Sequence, residues 1–176
     1  MTFKLRCVFI IAPLILLLDQ WSKWSVRAEI PFGGVIPIWP GYFDLVHVQN
    51  TGAAFGMLAG AAAAWREPFF YLVSAVALTA IVVMLGRLRA TERLTIFILS
   101  LLFGGVIGNL IDRVLFGSVT DFVSVHWRDA VWSGTLFGWH WQLPLDWPAF
   151  NVADSAITVS MVLLAWQLLR GEGRTV

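Results

Sequence analysis

Four stretches of the chain, 7–18, 68–86, 94–111 and 155–169, carry no charged residue. A helix that crosses a bilayer needs roughly 20 mainly apolar residues, and each stretch approaches that length once its polar edges are counted. Apolar residues make up 59% of the chain and charged ones 13%, whereas a soluble domain carries roughly 25% charged residues. Too few charges remain to cover a wetted surface. The chain therefore reads as a single integral membrane domain over 1–176, all-α, with helices expected near 5–25, 67–87, 94–114 and 149–170. The net charge of +1 leaves no basic field for nucleic acid. One cysteine, Cys7, permits no internal disulfide, and no Cys/His spacing suits a structural metal.

Lys4 and Arg6 ahead of the first apolar run also resemble the start of a secretory signal. The small-residue site, Val26-Arg27-Ala28, lies behind the polar stretch Asp19-Gln20-Trp21-Ser22-Lys23, so an uncleaved first helix is expected. Basic residues in short loops stay on the cytoplasmic side. Lys4, Arg6, Arg87, Arg89, Arg93, Arg170 and Arg174 fall on one side in short segments. Lys23, Arg27, Arg66, Arg113 and Arg128 fall on the other, with every acidic residue except Glu92 and Glu172. Both termini are therefore expected in the cytoplasm. Every tryptophan except Trp166 lies toward the outer side, where an indole suits the headgroup layer.

The two outer segments differ. Residues 27–66 contain turn signals at Gly33-Gly34, Pro37 and Pro40-Gly41, then the β-branched, partly alternating run Tyr42-Phe43-Asp44-Leu45-Val46-His47-Val48-Gln49. A small strand-rich platform is expected there. Residues 115–147, with Trp127, Trp132, Trp139, Trp141 and Trp147 beside Gly134 and Gly138, show no clean period and read as an interfacial loop.

Ionisable groups at the edge of a span are costly and mark function by default. Successive spans run in opposite directions, so Asp19 and Lys23 ending the first helix, Asn109, Asp112 and Arg113 ending the third, and Asn151 and Asp154 starting the fourth share one depth. Asp121 can join them from the following segment. Residues three and four apart share a helical face, so three polar faces can converge. A set of edge salt bridges and caps would use the same residues differently: Asp19 with Lys23, and Asn151 or Asp154 at a helix N-terminus.

Several hydrolytic routes lack their residues. There is no His-Glu-x-x-His motif, and His47, His126 and His140 read as surface or interfacial side chains. A Ser/Lys pair would need Lys23 with Ser22 or Ser25, yet adjacent helical positions do not face each other. Two carboxylates close together share a proton, so one can deprotonate water while the other supplies a proton to a carbonyl oxygen. Asp121 and Asp154 have no sequence-local cation. Asp112 has Arg113 beside it and Asp19 has Lys23, so these two read as scaffold. Spacing alone does not single out the pair.

Four blocks resemble the lipoprotein signal peptidase (signal peptidase II) family of bacterial membrane aspartyl proteases. They are Asp19-Gln20-Trp21-Ser22-Lys23; Gln49-Asn50-Thr51-Gly52-Ala53-Ala54-Phe55-Gly56; Gly104-Gly105-Val106-Ile107-Gly108-Asn109-Leu110-Ile111-Asp112-Arg113 with Gly117-Ser118-Val119-Thr120-Asp121-Phe122; and Phe150-Asn151-Val152-Ala153-Asp154-Ser155-Ala156. The similarity runs from about residue 5 to 170. It implies that Asp121 and Asp154 are catalytic, and that Asn50, Asn109, Arg113 and Asn151 line the site, with Gly52, Asp19, Lys23 and Asp112 in support. It also implies cleavage before the diacylglyceryl-modified cysteine of a prolipoprotein, at the outer edge of a bacterial inner membrane. Membrane lipid and that substrate are the implied partners; no metal, organic cofactor or obligate protein partner is. The interval from Asp121 to Asp154 is longer than the family pattern, with 131–146 as extra sequence: a lid, a lipid anchor or an unconstrained loop. Phe55 and Gly56 could close over substrate or pack the platform.

Two other readings use the same residues. A small channel or transporter subunit would need polar residues through the full membrane depth, and the inner halves of the helices offer only Ser74, Thr79, Ser100, Thr158 and Ser160. An assembly subunit could bind a partner helix through the Gly-x-x-x-Gly at Gly104 and Gly108.

Overall fold

The computed structural model describes residues 3–52 and 63–171. The chain runs α1 (Phe3–Glu29), β1 (Val35–Trp39), β2 (Phe43–Asn50), α2 (Ala63–Arg87), α3 (Arg93–Phe116), β3 (Val119–Leu136), β4 (Trp139–Phe150) and α4 (Val152–Leu169). The fold is mixed helix and strand, not all-α. Among the described residues three helices, Ala64–Arg87, Arg93–Phe116 and Val152–Leu169, are long and apolar enough to cross a membrane, one fewer than expected. The first helix, α1, is long, but Lys4 and Arg6 stand in its first turn and Asp19, Gln20, Lys23, Arg27 and Glu29 in its last turns, so only its middle, 7–18, is free of charge.

The third helix, α3, packs against α1, α2 and α4, and its glycines explain how. A Cβ on Gly104 would stand 2.8 Å from the carbonyl oxygen of Ala12, and one on Gly105 2.7 Å from that of Ala153. The backbones of α1 and α4 thus approach closer than any side chain permits. The small-residue face that would suit a foreign helix is filled by the chain's own α1. At the end of the bundle carrying the α2–α3 connection, Ile81, Leu85, Ile96 and Leu99 form a buried apolar cluster. Lys4 donates there to the carbonyl oxygens of Gly86 and Leu88 at 3.2 and 3.0 Å, closing the free end of α2. Large apolar side chains such as Phe9, Leu17, Leu72, Val76 and Val162 point outward, as a lipid-facing surface requires.

At the opposite end stands one antiparallel sheet in the order β1-β2-β3-β4. Val26 of α1 and Ile30, just past its end, pack on Phe122 of β3, with Leu45, Val123 and Val152 around them, and tie the sheet to the bundle. The expected platform is present, but the expected loop at 115–147 is not. That segment is a long hairpin, closing at Leu136↔Trp139. Its period is hidden because the register shifts between His126↔Asp146 and Val131↔Pro144, five residues on β3 facing two on β4, and an odd offset moves every later side chain to the other face. His47 is buried, with Nδ1 2.8 Å from the Ile30 carbonyl oxygen, so it is a packing residue and not a surface one. His126 lies 3.0 Å from Asp44, and exposed His140 2.8 Å from Thr135. Phe55 and Gly56 lie outside the described residues.

Candidate active site

The polar residues of α1, α3, β3 and α4 meet at the sheet end. Gly117 ends α3 in the left-handed conformation, φ 69°, its N–H donating to the Arg113 carbonyl oxygen at 2.9 Å, the usual glycine stop. The chain turns at once into β3, which brings Asp121 back over the end of the helix it has left. On the other side Asn151 caps α4: its Oδ1 accepts from the Asp154 N–H at 2.9 Å, and Asp154 Oδ2 accepts from the Asn151 N–H at 3.2 Å. This reciprocal cap fixes Asp154 in the first turn, where the helix dipole favours negative charge.

Three asparagines connect these carboxylates, and each has its amide orientation set by an unambiguous neighbour. Lys23 can only donate, and its Nζ lies 3.0 Å from Asn109 Oδ1; Asn109 Nδ2 therefore points the other way and donates to Asp154 Oδ1 at 2.7 Å. The Gly52 N–H donates to Asn50 Oδ1 at 2.9 Å, which leaves Asn50 Nδ2 to donate to Asp121 Oδ2 at 3.0 Å. With its oxygen engaged by the α4 cap, Asn151 donates through Nδ2 to Asp121 Oδ1 at 2.8 Å and, less closely, to Asn109 Oδ1 and the Thr120 carbonyl. Asn151 thus touches both aspartates. Among the described residues neither Asp121 nor Asp154 sits in an ion pair.

Two cations, Lys23 and Arg27, are spent on the α1 side of the same layer. Asp19 and Lys23, both fully buried, pair at 2.8 Å, and the Ala153 N–H donates to Asp19 Oδ1 at 2.9 Å, latching α1 to the start of α4. Gly108 makes room: a Cβ there would stand 2.6 Å from Asp19 Oδ2. Asp112 pairs with Arg27 at 2.7 Å and Lys23 at 3.6 Å, and accepts from the Thr120 N–H at 2.9 Å. Arg27 Nε donates to Thr120 Oγ1 at 2.9 Å. The scaffold partner of Asp112 is therefore Arg27, not its sequence neighbour Arg113, because adjacent helical residues diverge by roughly 100°. Arg113 instead lies over the Phe70 ring, 4.5 Å from its centroid, and reaches toward the Gly52 carbonyl oxygen at 3.4 Å.

A cavity of about 480 Å³ opens beside the two aspartates, walled by Asn50, Asn109, Arg113, Trp147, Phe150 and Ile157 among others. Burial, and next the negative charge of nearby Asp154, push the Asp121 carboxyl up to about 7, against the opposing pull of the Asn50 and Asn151 amides and of Lys23. A carboxyl placed there holds or releases a proton near neutral pH.

All ten residues singled out from the sequence reach this layer, in two groups. Asp121, Asp154, Asn50, Gly52, Asn109 and Arg113 line the cavity, with Asn151 behind them; Asp19, Lys23 and Asp112 form the charged support. The sequence reading passed over Arg27, Gln20 and Thr120. Arg27 was within reach, since Asp19, Lys23 and Arg27 recur every four residues and so share a face of α1. Gln20, which donates to Asp19 and Asp112, and Thr120 carry no such signal.

A membrane-crossing bundle that holds two buried carboxyls at the wall of a cavity, ordered by amides and, among the described residues, in no ion pair, is the frame of a membrane aspartic protease. Residues 11–170 match the family model for signal peptidase (SPase) II. A lipoprotein signal peptidase from Geobacter metallireducens is 40% identical over 169 residues, covering 96% of this chain and 94% of that protein. Another, from Geobacter sulfurreducens, is 42% identical over 159 residues, covering 90% and 89%. A solved bacterial membrane enzyme superposes with a TM-score of 0.76 at 28% identity, covering 96% of this chain and 91% of that one. The chain belongs to the signal peptidase II family, membrane aspartic proteases that free prolipoproteins of their signal peptides.

Proposed function

We propose that Asp121 and Asp154 are the catalytic pair, and that the bond cut is the one before the diacylglyceryl-modified cysteine of a prolipoprotein. The observation that carries this reading is the hydrogen bonding of the two carboxyls: each is oriented by amide or backbone N–H donors and neither is neutralised by an ion pair among the described residues. One carboxylate takes a proton from water as its oxygen attacks the scissile carbonyl, and the other, protonated, gives its proton to the carbonyl oxygen. Collapse of the tetrahedral species returns that proton and delivers the other to the departing amine of the modified cysteine. The pair then again holds one proton. Asn109, Asn151 and Asn50 position the pair, Lys23, itself paired with Asp19, holds the Asn109 amide in place, and Arg113 stands at the cavity wall toward the substrate backbone.

In this reading α1 is a fourth span whose polar end is paid for by Lys23, Arg27 and the α4 latch. Both termini face the cytoplasm, and the site opens at the outer edge of the inner membrane, where a signal-peptide helix ends and the acyl chains of the modified cysteine lie in the outer leaflet. The cavity is lined by Val119, Ile157 and Val159 as well as by the polar groups, a mixture suited to a lipidated peptide. A conducting path finds no support, since the mid-bundle hydroxyls of Thr79, Ser100 and Ser160 fold back on carbonyl oxygens of their own helices at 2.7 Å. The test is purified protein with a prolipoprotein in lipidated and unlipidated form, the products identified by mass. Cleavage of the lipidated form alone, at the bond immediately before the modified cysteine so that the cysteine becomes the new N-terminus, is expected; equal cleavage of both forms, or a cut elsewhere, contradicts the substrate assignment.

A further inference from the structure

The β3–β4 hairpin runs far beyond the site it helps to wall. Between Asp129 and Asp146 there is no Asp, Glu, Lys or Arg. The pairs Trp132↔Leu143, Gly134↔Trp141 and Leu136↔Trp139 alternate with Ser133↔Gln142 and Thr135↔His140. Successive residues of a strand point to opposite faces, so the ribbon has one face of tryptophan and leucine and one of hydroxyls, amide and imidazole. On the apolar face Trp132 and Trp141 meet edge to face, centroids 5.1 Å apart. Trp141 lies across Gly134, where a Cβ would stand 2.5 Å from the indole. At the turn Phe137 is 95% and Trp139 82% exposed. Phe137 sits at φ 50°, a position usually given to Asn or Gly, so turn geometry does not account for an aromatic ring at the tip.

We propose that this ribbon is a membrane-surface anchor, its apolar face and tip seated in the interfacial layer of the bilayer and its polar face turned to the headgroup water. Continuity with the spanning helices supplies the occupant. The first residue of β3 closely follows α3, and the last residue of β4 closely precedes α4, so the ribbon is rooted at the ends of two helices apolar enough to cross a membrane. At roughly 3.3 Å per residue, the 12 residues of β4 reach about 40 Å from that root. The interface is the medium that accepts both faces at once: indoles place an apolar body in the acyl boundary and a donor tip among headgroups. Because β4 also supplies Trp147 and Phe150 to the cavity wall, seating the ribbon holds that wall at the depth of the lipid edge.

The test uses the full chain with Cys7→Ser and a single nitroxide-labelled cysteine, Phe137→Cys or Trp139→Cys on the apolar side and Thr135→Cys or Gln142→Cys on the polar side. The protein is placed in vesicles of phosphatidylethanolamine and phosphatidylglycerol. Collision with oxygen, which partitions into lipid, is compared with collision with a water-soluble nickel chelate. The oxygen-to-nickel ratio should be severalfold higher at positions 137 and 139 than at 135 and 142, and the difference should vanish when vesicles are exchanged for a soluble amphipathic polymer. Uniformly nickel-accessible labels would place the ribbon in water and overturn the proposal. Labels shielded from both reagents and broadened by spin–spin coupling would show a second copy on this face, and would overturn it equally. Cleavage is not read, so the result is independent of which residues are catalytic.

Discussion

Asp19 and Asp112, on the α1 side of the polar layer, each touch a cation, Lys23 at 2.8 Å and Arg27 at 2.7 Å. Asp121 and Asp154, across the same layer, are met only by asparagine amides and a backbone N–H among the described residues. All four are buried or nearly so, so burial alone does not separate them. A cation satisfies a carboxylate and fixes its charge; an amide orients it and leaves its proton available. Lys23 shows how the two halves are joined, since it balances Asp19 and at the same time sets the Asn109 amide that faces Asp154. One side is a scaffold whose electrostatics are closed, and the other is a site left open to chemistry.

Substitutions should separate the halves. The largest effect is expected from Asp154→Asn, which keeps shape but cannot pass a proton: a loss of roughly 10²–10⁴-fold in cleavage rate, read with purified protein, with insertion and yield unchanged. Lys23→Met removes the cation shared by Asp19 and Asp112 and should lower stability by about 3–5 kcal/mol, read as a fall in the thermal unfolding midpoint in detergent, with cleavage lost as well. Asn109→Ala breaks one bond to a carboxylate, worth about 1.5–3 kcal/mol, and should slow cleavage by roughly ten- to a hundredfold while the midpoint moves little. Gly108→Ala crowds Asp19 Oδ2 and should cost about 1–3 kcal/mol of stability.

The smallest effect is a pH slope. Held near 7 in the fold, the Asp121 carboxyl keeps a proton that an unfolded aspartate, near 3.9, has already lost. Its contribution to stability is therefore full below about pH 4 and is lost as pH rises through about 7. Unfolding midpoints followed from pH 5 to 8 should decline in the wild type and decline less in Asp121→Asn. Cleavage should fall on the alkaline side of about 7, where the shared proton leaves.

Much of this was legible before the fold was seen. Charge-free length located the three helices apolar enough to cross a membrane, α2, α3 and α4, because a bilayer imposes a length that few other environments do, and the convergence of Asp19, Asn109, Asp112, Asn151 and Asp154 followed from alternating helix direction. The strands of the hairpin were not legible, since the shift between His126 and Val131 breaks the two-residue period that reveals a half-buried strand. Nor was the partner of Asp112, because sequence adjacency to Arg113 says nothing about which way each residue leaves the helix. The pairing with Arg27 arises from tertiary packing that brings α1 against α3, through glycines whose importance lies in contacts and not in local propensity.

The central claim is tested most directly by a matched pair, Asp121→Asn and Asp112→Asn, each measured for cleavage of a diacylglyceryl-modified prolipoprotein and for thermal unfolding midpoint in the same detergent. Asp121→Asn should abolish cleavage with the midpoint held or raised, and Asp112→Asn should lower the midpoint first, with activity falling as the fold loosens. Near-normal cleavage by Asp121→Asn, or a loss of stability equal to that of Asp112→Asn, would contradict the division of the polar layer into scaffold and site.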